Sequence, residues 1–336
     1  MSSTNNSSSF LAVVDTENAN TVGYTVNEKI AIGILLTIVT LATIAGNLLV
    51  ITALLIFRTL RRNISNCLIL NLAAADFLVG VLLLPPVVIN EIEGHWYFGS
   101  AFCKILKSLD ICLTEVSVWG MVLLSLDKYL YITFPLSYRE IVTRRRMMIA
   151  VLICWVLEAI KSFYPIMAGI AEDPDQKNRT LQSGGCLPVI VNYELVLTSI
   201  VLTFLIPLIL LLFFNCRIWM IVREHSRRID NNNTTVHHHG NPHPHTYGFS
   251  KADIKAFKGT LLLIVTFLVM WLPFWTILVA DRLFGVSIPP VLYHTFNWMT
   301  YCNSCVNPLL YSFNKSLRGA CRKLLSCDCA YNPVDT

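Results

Sequence analysis

Seven stretches of this chain are each long enough and apolar enough to cross a lipid bilayer: residues 30–57, 64–90, 100–132, 145–168, 190–224, 251–281 and 289–312. A hydrocarbon core of about 30 Å takes roughly 20 helical residues. In lipid every backbone N–H and C=O must be satisfied within the segment, which leaves the helix as the form for such stretches. Composition agrees, with 54% apolar and only 14% charged residues, where an average soluble domain carries about 25% charged residues. The expected fold is therefore an all-α membrane protein, a seven-transmembrane helix bundle. Residues 30–312 form the transmembrane domain, 1–29 a polar extracellular tail, and 313–336 an amphipathic helix and cytoplasmic tail. In that helix, Asn314 to Leu325, the side chains of Leu317, Leu324 and Leu325 are expected against lipid. The stretches are not repeats of one another, and no internal symmetry of the transporter kind is visible.

Lys and Arg set the orientation. With the N-terminus outside, only Lys29, Lys104, Lys107, Lys177, Arg179 and Arg282 fall on the outer side, and Lys161 lies within the fourth stretch. The remaining basic residues, Arg144, Arg145 and Arg146 among them, fall inside, as the positive-inside rule requires. The net charge of +5 is thus a topology signal. Its basic runs sit at membrane edges, which argues for a lipid surface and against nucleic acid. The tail lacks a basic start followed by a short apolar stretch, so the first helix itself is expected to direct insertion. Asn5, Asn6 and Asn178 head glycosylation sequons on the expected outer side. Of 11 cysteines most read as small apolar fillers. Cys103 and Cys186 both face the oxidising side, and a disulfide between them would tether the second outer loop over the bundle mouth. The polar loop at 225–250 carries a His tract, His237 to His245, which reads either as a low-complexity flexible loop or as a metal binder.

Ionisable groups at bilayer depth cost roughly 2.5–3.5 kcal/mol each, so each is a functional hypothesis. Asp110 lies seven residues after Cys103, two turns or about 10 Å below the outer surface. It reads as the counter-ion of a ligand ammonium, or as an internally hydrogen-bonded carboxylate. Glu158 and Lys161, three apart, can pair on one helix face, while Lys161 can instead reach Glu115. Glu115 is then part of a structural ion-pair cluster or a second carboxylate for the ligand. Asp76, with Ser117, Asn303 and Asn307 as expected neighbours, reads as a sodium or water site, or as a protonated core group. Apart from a sodium ion there, no cofactor or metal is expected. Phe267, Trp271, Pro273, Phe274 and Trp275 place a proline kink beside an aromatic cluster. Trp298 and Tyr301 share a face of the seventh helix. Together with Asp110 these rings make a cation cage, although each ring alone reads as packing.

The motifs are Gly46-Asn47, Leu72-Ala73-x-x-Asp76, Trp96-x-Phe98-Gly99 before Cys103, and Asp127-Lys128-Tyr129. Trp155, Pro207, Phe267-x-x-x-Trp271-x-Pro273 and Asn307-Pro308-x-x-Tyr311 complete the series. In this order, one set per helix, the chain resembles the rhodopsin-like G protein-coupled receptors from about 30 to 326. Within them it looks most like the biogenic amine receptors. The resemblance implies an amine ammonium at Asp110 closed over by Trp298 and Tyr301, with Thr114 and Asn297 as polar neighbours. It also implies ring hydroxyls met by Ser199 and Thr203, whose side chains face the same way at four-residue spacing, and a ligand ring stacked by Phe274 and Trp275 above Trp271. Its partners would be a small cationic aromatic amine, a heterotrimeric G protein and arrestin, at the plasma membrane. Opsins carry a Lys where this chain has Tyr301, which argues against covalent retinal. Cys327 and Cys329 are palmitoylation candidates.

Three departures bear on the output. Lys128 stands where the family has Arg, keeping the charge and losing the planar fork. Its partners are expected to be Asp127 and Asp253, in an activation set with Tyr129 and Tyr311. Asn215 replaces the usual Tyr, and Glu115 a small polar residue. The competing classes are a receptor for a peptide or lipid and, outside receptors, a transporter or channel. An enzyme is not expected, since no nucleophile-and-base constellation is visible.

Overall fold

The computed structural model describes residues 25–171, 186, 193–235 and 251–326, with side chains at 193–194, 225–235 and 251–260 left out. Helix is the only regular structure among the described residues. The long helices are α1 (Val26–Ile56), α2 (Ile64–Glu93), α3 (Gly99–Thr133) and α4 (Arg144–Met167). They are followed by α5 (Tyr193–Ser199, Ile200–Leu205 and Ile206–Thr235), α6 (Lys251–Phe284), α7 (Pro290–Tyr311) and α8 (Lys315–Leu325). Six of them are long and apolar enough to cross a membrane by length and composition, and α7 is not among these. Its 22 residues include His294, Asn297, Asn303, Ser304 and Asn307. The helix gives up hydropathy for the polar groups that the candidate site uses.

Capping explains the helix starts. Asn63 Oδ1 accepts from the Ser65 amide at 3.0 Å before α2, and Thr143 Oγ1 accepts from Arg146 at 3.3 Å before α4. Asn314 Oδ1 accepts from Ser316 at 3.1 Å before α8. Gly94, at φ 70°, closes α2 in a left-handed conformation that only glycine takes cheaply. Within α2, Val79–Leu83 is π-helical and runs directly into Pro85 and Pro86. Within α5, Ile200–Leu205 is π-helical ahead of Pro207. Wide turns of this kind absorb the backbone donor that proline lacks.

Two large apolar clusters lie between the helices. One, away from the disulfide, joins Leu54, Leu72, Met121, Leu211, Phe267 and Leu310. The other, at the disulfide end, joins Leu36, Leu83, Leu106, Trp298 and Tyr301. Without a hydrophobic drive between helices in lipid, small residues decide how closely backbones approach. A Cβ at Gly120 would stand 2.9 Å from Leu72 Cδ2, and one at Gly46 would stand 3.1 Å from Pro308 Cγ. Buried polar links add to this. Asn47 Nδ2 donates to the Ser304 carbonyl of α7 at 3.0 Å, and Trp155 Nε1 donates to Asn71 Oδ1 at 2.8 Å. The outward face is apolar: Leu152 is 61% and Ile160 60% exposed on α4, a surface suited to lipid.

The structure corrects one expectation about α8. Leu317 is not at the lipid face but 1% exposed, packed with Ala320 into the larger cluster, while Leu325 stays 71% exposed. The reason is the tight turn after Tyr311, which swings the first turn of α8 under α1. Asn5, Asn6, Asn178, the His tract, Cys327 and Cys329 lie outside the described residues.

Candidate functional site

The Cys103–Cys186 disulfide is formed, with Cα atoms 5.6 Å apart, and pins Cys186 to the first turns of α3. Two turns further along α3, Asp110 meets α7. Tyr301 Oη donates to Asp110 Oδ2 at 2.9 Å. The Trp298 ring stands edge-on to Tyr301 at a 5.5 Å centroid distance, and both rings are almost fully buried. Asp110 itself is half-buried. Among the described residues, the only side-chain hydrogen bond to its carboxylate comes from Tyr301. A carboxylate has room for about four donors, so acceptor capacity remains.

The residues expected around Asp110 divide into two groups. Trp271 tilts against Phe267 at 5.7 Å, and its buried Nε1 has no partner among the described residues. Trp298 Nε1 is in the same condition. Phe274 stands edge-on to Trp275 at 6.0 Å and tilts against Tyr293 at 5.8 Å. Trp275 is turned to α5 instead, stacked on Phe204 at 5.2 Å. Thr114 Oγ1 donates to the Asp110 backbone carbonyl at 2.6 Å, so it braces the helix beneath the carboxylate. Asn297 is half-buried on the α7 turn before Tyr301, and its carbonyl accepts from Thr300 Oγ1 at 2.7 Å.

Ser199 and Thr203 lie one turn apart on α5. Thr203 Oγ1 is buried and donates to the Ser199 carbonyl at 2.7 Å. Ser199 lines a small cleft between α3, α4 and α5, together with Ile111, Glu115, Lys161, Ser162 and Thr198. In this cleft the two pairings left open for Lys161 occur together: its ammonium bridges Glu115 Oε2 and Glu158 Oε2.

Deeper in the bundle Asp76 is fully buried and held from two helices. Ser304 Oγ donates to Oδ1 at 2.7 Å, Asn307 Nδ2 to Oδ2 at 2.8 Å, and Ser117 Oγ to Oδ1 at 3.3 Å. Asn303, also expected here, is buried and its Oδ1 has no hydrogen-bond partner among the described residues, while its neighbour Ser304 donates to Asp76. Ser304 was legible in principle, three residues before Asn307 on the same face.

At the far end Asp127 is fully buried. It accepts from Ser65 Oγ at 2.6 Å and from Tyr138 Oη at 2.6 Å. Lys128 Nζ lies 3.5 Å from Asp127 Oδ2 and donates to Ser65 Oγ at 2.8 Å. The Asp253 side chain lies outside the described residues. Tyr129 packs on α5 beside Phe214, with centroids 5.5 Å apart, and the buried Tyr311 hydroxyl has no partner among the described residues. Asn215 Nδ2 donates to Ser125 Oγ at 3.2 Å and ties α5 to α3. Sequence reading missed one pair near the disulfide end: His294 Nδ1 lies 2.9 Å from Glu91 Oε1, joining α7 to α2.

Residues 46–311 match the family model described as 7 transmembrane receptor (rhodopsin family). The chain is 34% identical over 314 residues to 5-hydroxytryptamine receptor 4 of Cavia porcellus, covering 90% of this chain and 81% of the relative. It is 32% identical over 307 residues to the histamine H2 receptor of Cavia porcellus, covering 89% and 80%. It is 31% identical over 284 residues to trace amine-associated receptor 1 of Mus musculus, covering 83% of each chain.

Proposed function

The chain belongs to the seven-transmembrane receptors of the rhodopsin family, and from that premise we propose that it binds a small cationic aromatic amine at Asp110. The amine enters from outside the plasma membrane, and the bound state is read by a heterotrimeric G protein inside. The observation that carries this reading is the Asp110–Tyr301 contact under Trp298. A half-buried carboxylate with spare acceptor capacity, edged by aromatic rings, suits an ammonium ion through charge and cation–π attraction together. Three relatives are named as receptors for amines, 5-hydroxytryptamine, histamine and trace amines, which supports the same class.

Transmission follows from where α7 places its side chains. Tyr301 touches Asp110, and one and two turns on Ser304 and Asn307 hold Asp76. A ligand that draws on Asp110 therefore pulls on the helix that closes the Asp76 site. It shifts the receptor only by binding the signalling arrangement more tightly than the resting one. Trp271, with an unpaired indole N–H beneath the rings, is the group whose packing changes. Asp76 with its three donors is the proposed sodium site. The G protein meets the face around Lys128 and Arg144 to Arg146, and arrestin is a second partner for that face. The N-terminus lies outside, glycosylated at Asn5, Asn6 or Asn178, and Cys327 and Cys329 carry palmitate.

The test is Asp110→Asn in cells that report several G protein pathways. Amine responses are lost while surface expression persists. A variant that is expressed and responds to amines normally refutes the reading.

A further inference from the structure

One cation near the outer end of α3 is not explained by the amine contact. Lys107 stands three residues before Asp110, a rise of about 4.5 Å, and is half-buried. At about 100° per residue it falls about 60° around the helix from Asp110, between Asp110 and Ile111. Ile111 lines the cleft between α3, α4 and α5. Cys103, the disulfide anchor, lies on the same stripe one turn further out. Ile105, 42% exposed, marks the outward side of α3 at this level, about 160° from Lys107. The Lys107 side chain therefore leaves α3 on the bundle side, above Asp110. Two other basic groups at this end are matched, Arg282 by Asp281 and His294 by Glu91. Lys107 pairs with no carboxylate among the described residues. The charge it acts on is that of Asp110, with which it forms no direct ion pair.

From this geometry we propose that the ligand is a zwitterion, an aromatic α-amino acid whose ammonium pairs with Asp110 and whose carboxylate pairs with Lys107. A ligand with an ammonium alone brings a second cation beside Lys107, and the repulsion offsets part of what Asp110 contributes. A carboxylate on the same carbon reverses this, because it supplies the counter-ion that a half-buried ammonium needs. Lys presents a compact charge on a flexible stem, so contact with one carboxylate oxygen is enough. The two charged groups of an α-amino acid share one carbon, and Asp110 and Lys107 present their opposite charges one turn apart on neighbouring parts of one face. The like charge also selects against decarboxylated amines, which is a repulsive element of specificity. The ring of the ligand keeps its place among the aromatic side chains around Asp110. This inference rests on the amine reading of Asp110 and names the ligand class within it, with the ammonium kept and a carboxylate added.

The experiment uses the full-length receptor in cells that report several G protein pathways, in buffer free of amino acids, with surface expression measured for every variant. Phenylalanine, tyrosine, tryptophan and histidine are compared with 2-phenylethylamine, tyramine, tryptamine and histamine, and with the carboxamide of each amino acid. The carboxamide keeps the ammonium and the size and removes the negative charge. A pH of about 6.5, below the usual α-amino range, keeps all three ammonium groups charged. For the ring that the receptor answers best, the amino acid is expected to be at least about tenfold more potent than its amine and its carboxamide, the effect of one charge-assisted hydrogen bond. Lys107→Gln abolishes that preference, and Lys107→Arg keeps it. An amine or carboxamide as potent as its amino acid on the unmodified receptor overturns the proposal, and this comparison decides if Lys107→Gln does not reach the surface. A preference that persists in expressed Lys107→Gln also overturns it. Either result leaves the amine reading standing. Insensitivity of the responses to Asp110→Asn, or silence of amines and amino acids alike, overturns the amine reading and the carboxylate contact with it.

Discussion

Tyr138 donates a 2.6 Å hydrogen bond to Asp127, a carboxylate with no solvent exposure at the end of α3. Tyr138 sits in a one-turn helix, Tyr138–Ile141, between α3 and α4. Burial pushes its phenol well above the usual range, and the bond to Asp127 adds to this, so the hydroxyl stays a donor at any physiological pH. The same carboxylate is held by Ser65 of α2, and Lys128 is turned back onto Ser65 and Asp127. In this arrangement Lys128 is occupied within the bundle.

Removing the Tyr138 hydroxyl weakens that arrangement. A hydrogen bond to a charged group contributes about 1.5–3 kcal/mol. Tyr138→Phe is expected to raise agonist-free signalling by about tenfold or more at matched surface expression. Unchanged basal output would show that the contact does not distinguish resting from signalling states.

Tyr301→Phe keeps the ring against Trp298 and removes only the donor to Asp110. Amine potency is expected to fall by about tenfold or more, far less than the loss in Asp110→Asn. Competition binding with a labelled amine checks the order of the two variants. A Tyr301→Phe loss equal to that of Asp110→Asn would mean that the hydroxyl, not the carboxylate, carries recognition.

The bundle was legible because lipid permits so few backbone forms that hydropathy alone nearly determines them. The closeness of Asp110 and Tyr301 was implied by the family resemblance, since helical period fixes which residues share a face of one helix but not which helices meet. Four features were not. Ser304 was hidden beside Asn303, since both are buried and sequence does not mark which of two polar neighbours donates to the carboxylate. The π-helical stretches at Val79 and Ile200 leave no trace in hydropathy. Leu317 was misread because an amphipathic helix shows an apolar face without showing whether lipid or α1 covers it. The double pairing of Lys161 depended on side-chain reach across two helices, which spacing on one helix leaves open.

Gly120 tests the packing. Its absent side chain admits Leu72, which is fully buried, and a Cβ would come within 2.9 Å of Leu72 Cδ2 and 3.0 Å of Asn71 Nδ2. Asn71 is also held by Trp155, so neither neighbour moves freely. Gly120→Ala forces α2 and α3 apart at a cost of about 1–3 kcal/mol. A lower melting temperature of the purified receptor in detergent is the expected result. An unchanged or higher value would show that the α2–α3 contact relaxes without penalty.

The proposed sodium site makes a prediction that the alternative, a protonated core carboxylic acid, does not share. Three donors converge on Asp76 from α3 and α7. A bound cation would take oxygen ligands from the carboxylate and from the Ser117 and Ser304 hydroxyls, and the Asn307 amide would have to turn its oxygen inward. That rearrangement touches α7, which also carries Tyr301, so the cation and the amine are coupled and each alters the affinity of the other by the same factor. Exchanging NaCl for N-methylglucamine chloride at constant ionic strength is expected to change amine affinity about fivefold or more in membranes of the unmodified receptor. Asp76→Asn removes the charge, and with it the response to sodium, while amine binding at Asp110 persists. Equal sodium responses in both proteins would assign the effect elsewhere, and the absence of a response in the unmodified receptor would leave Asp76 as a hydrogen-bonded acid linking α2 to α7.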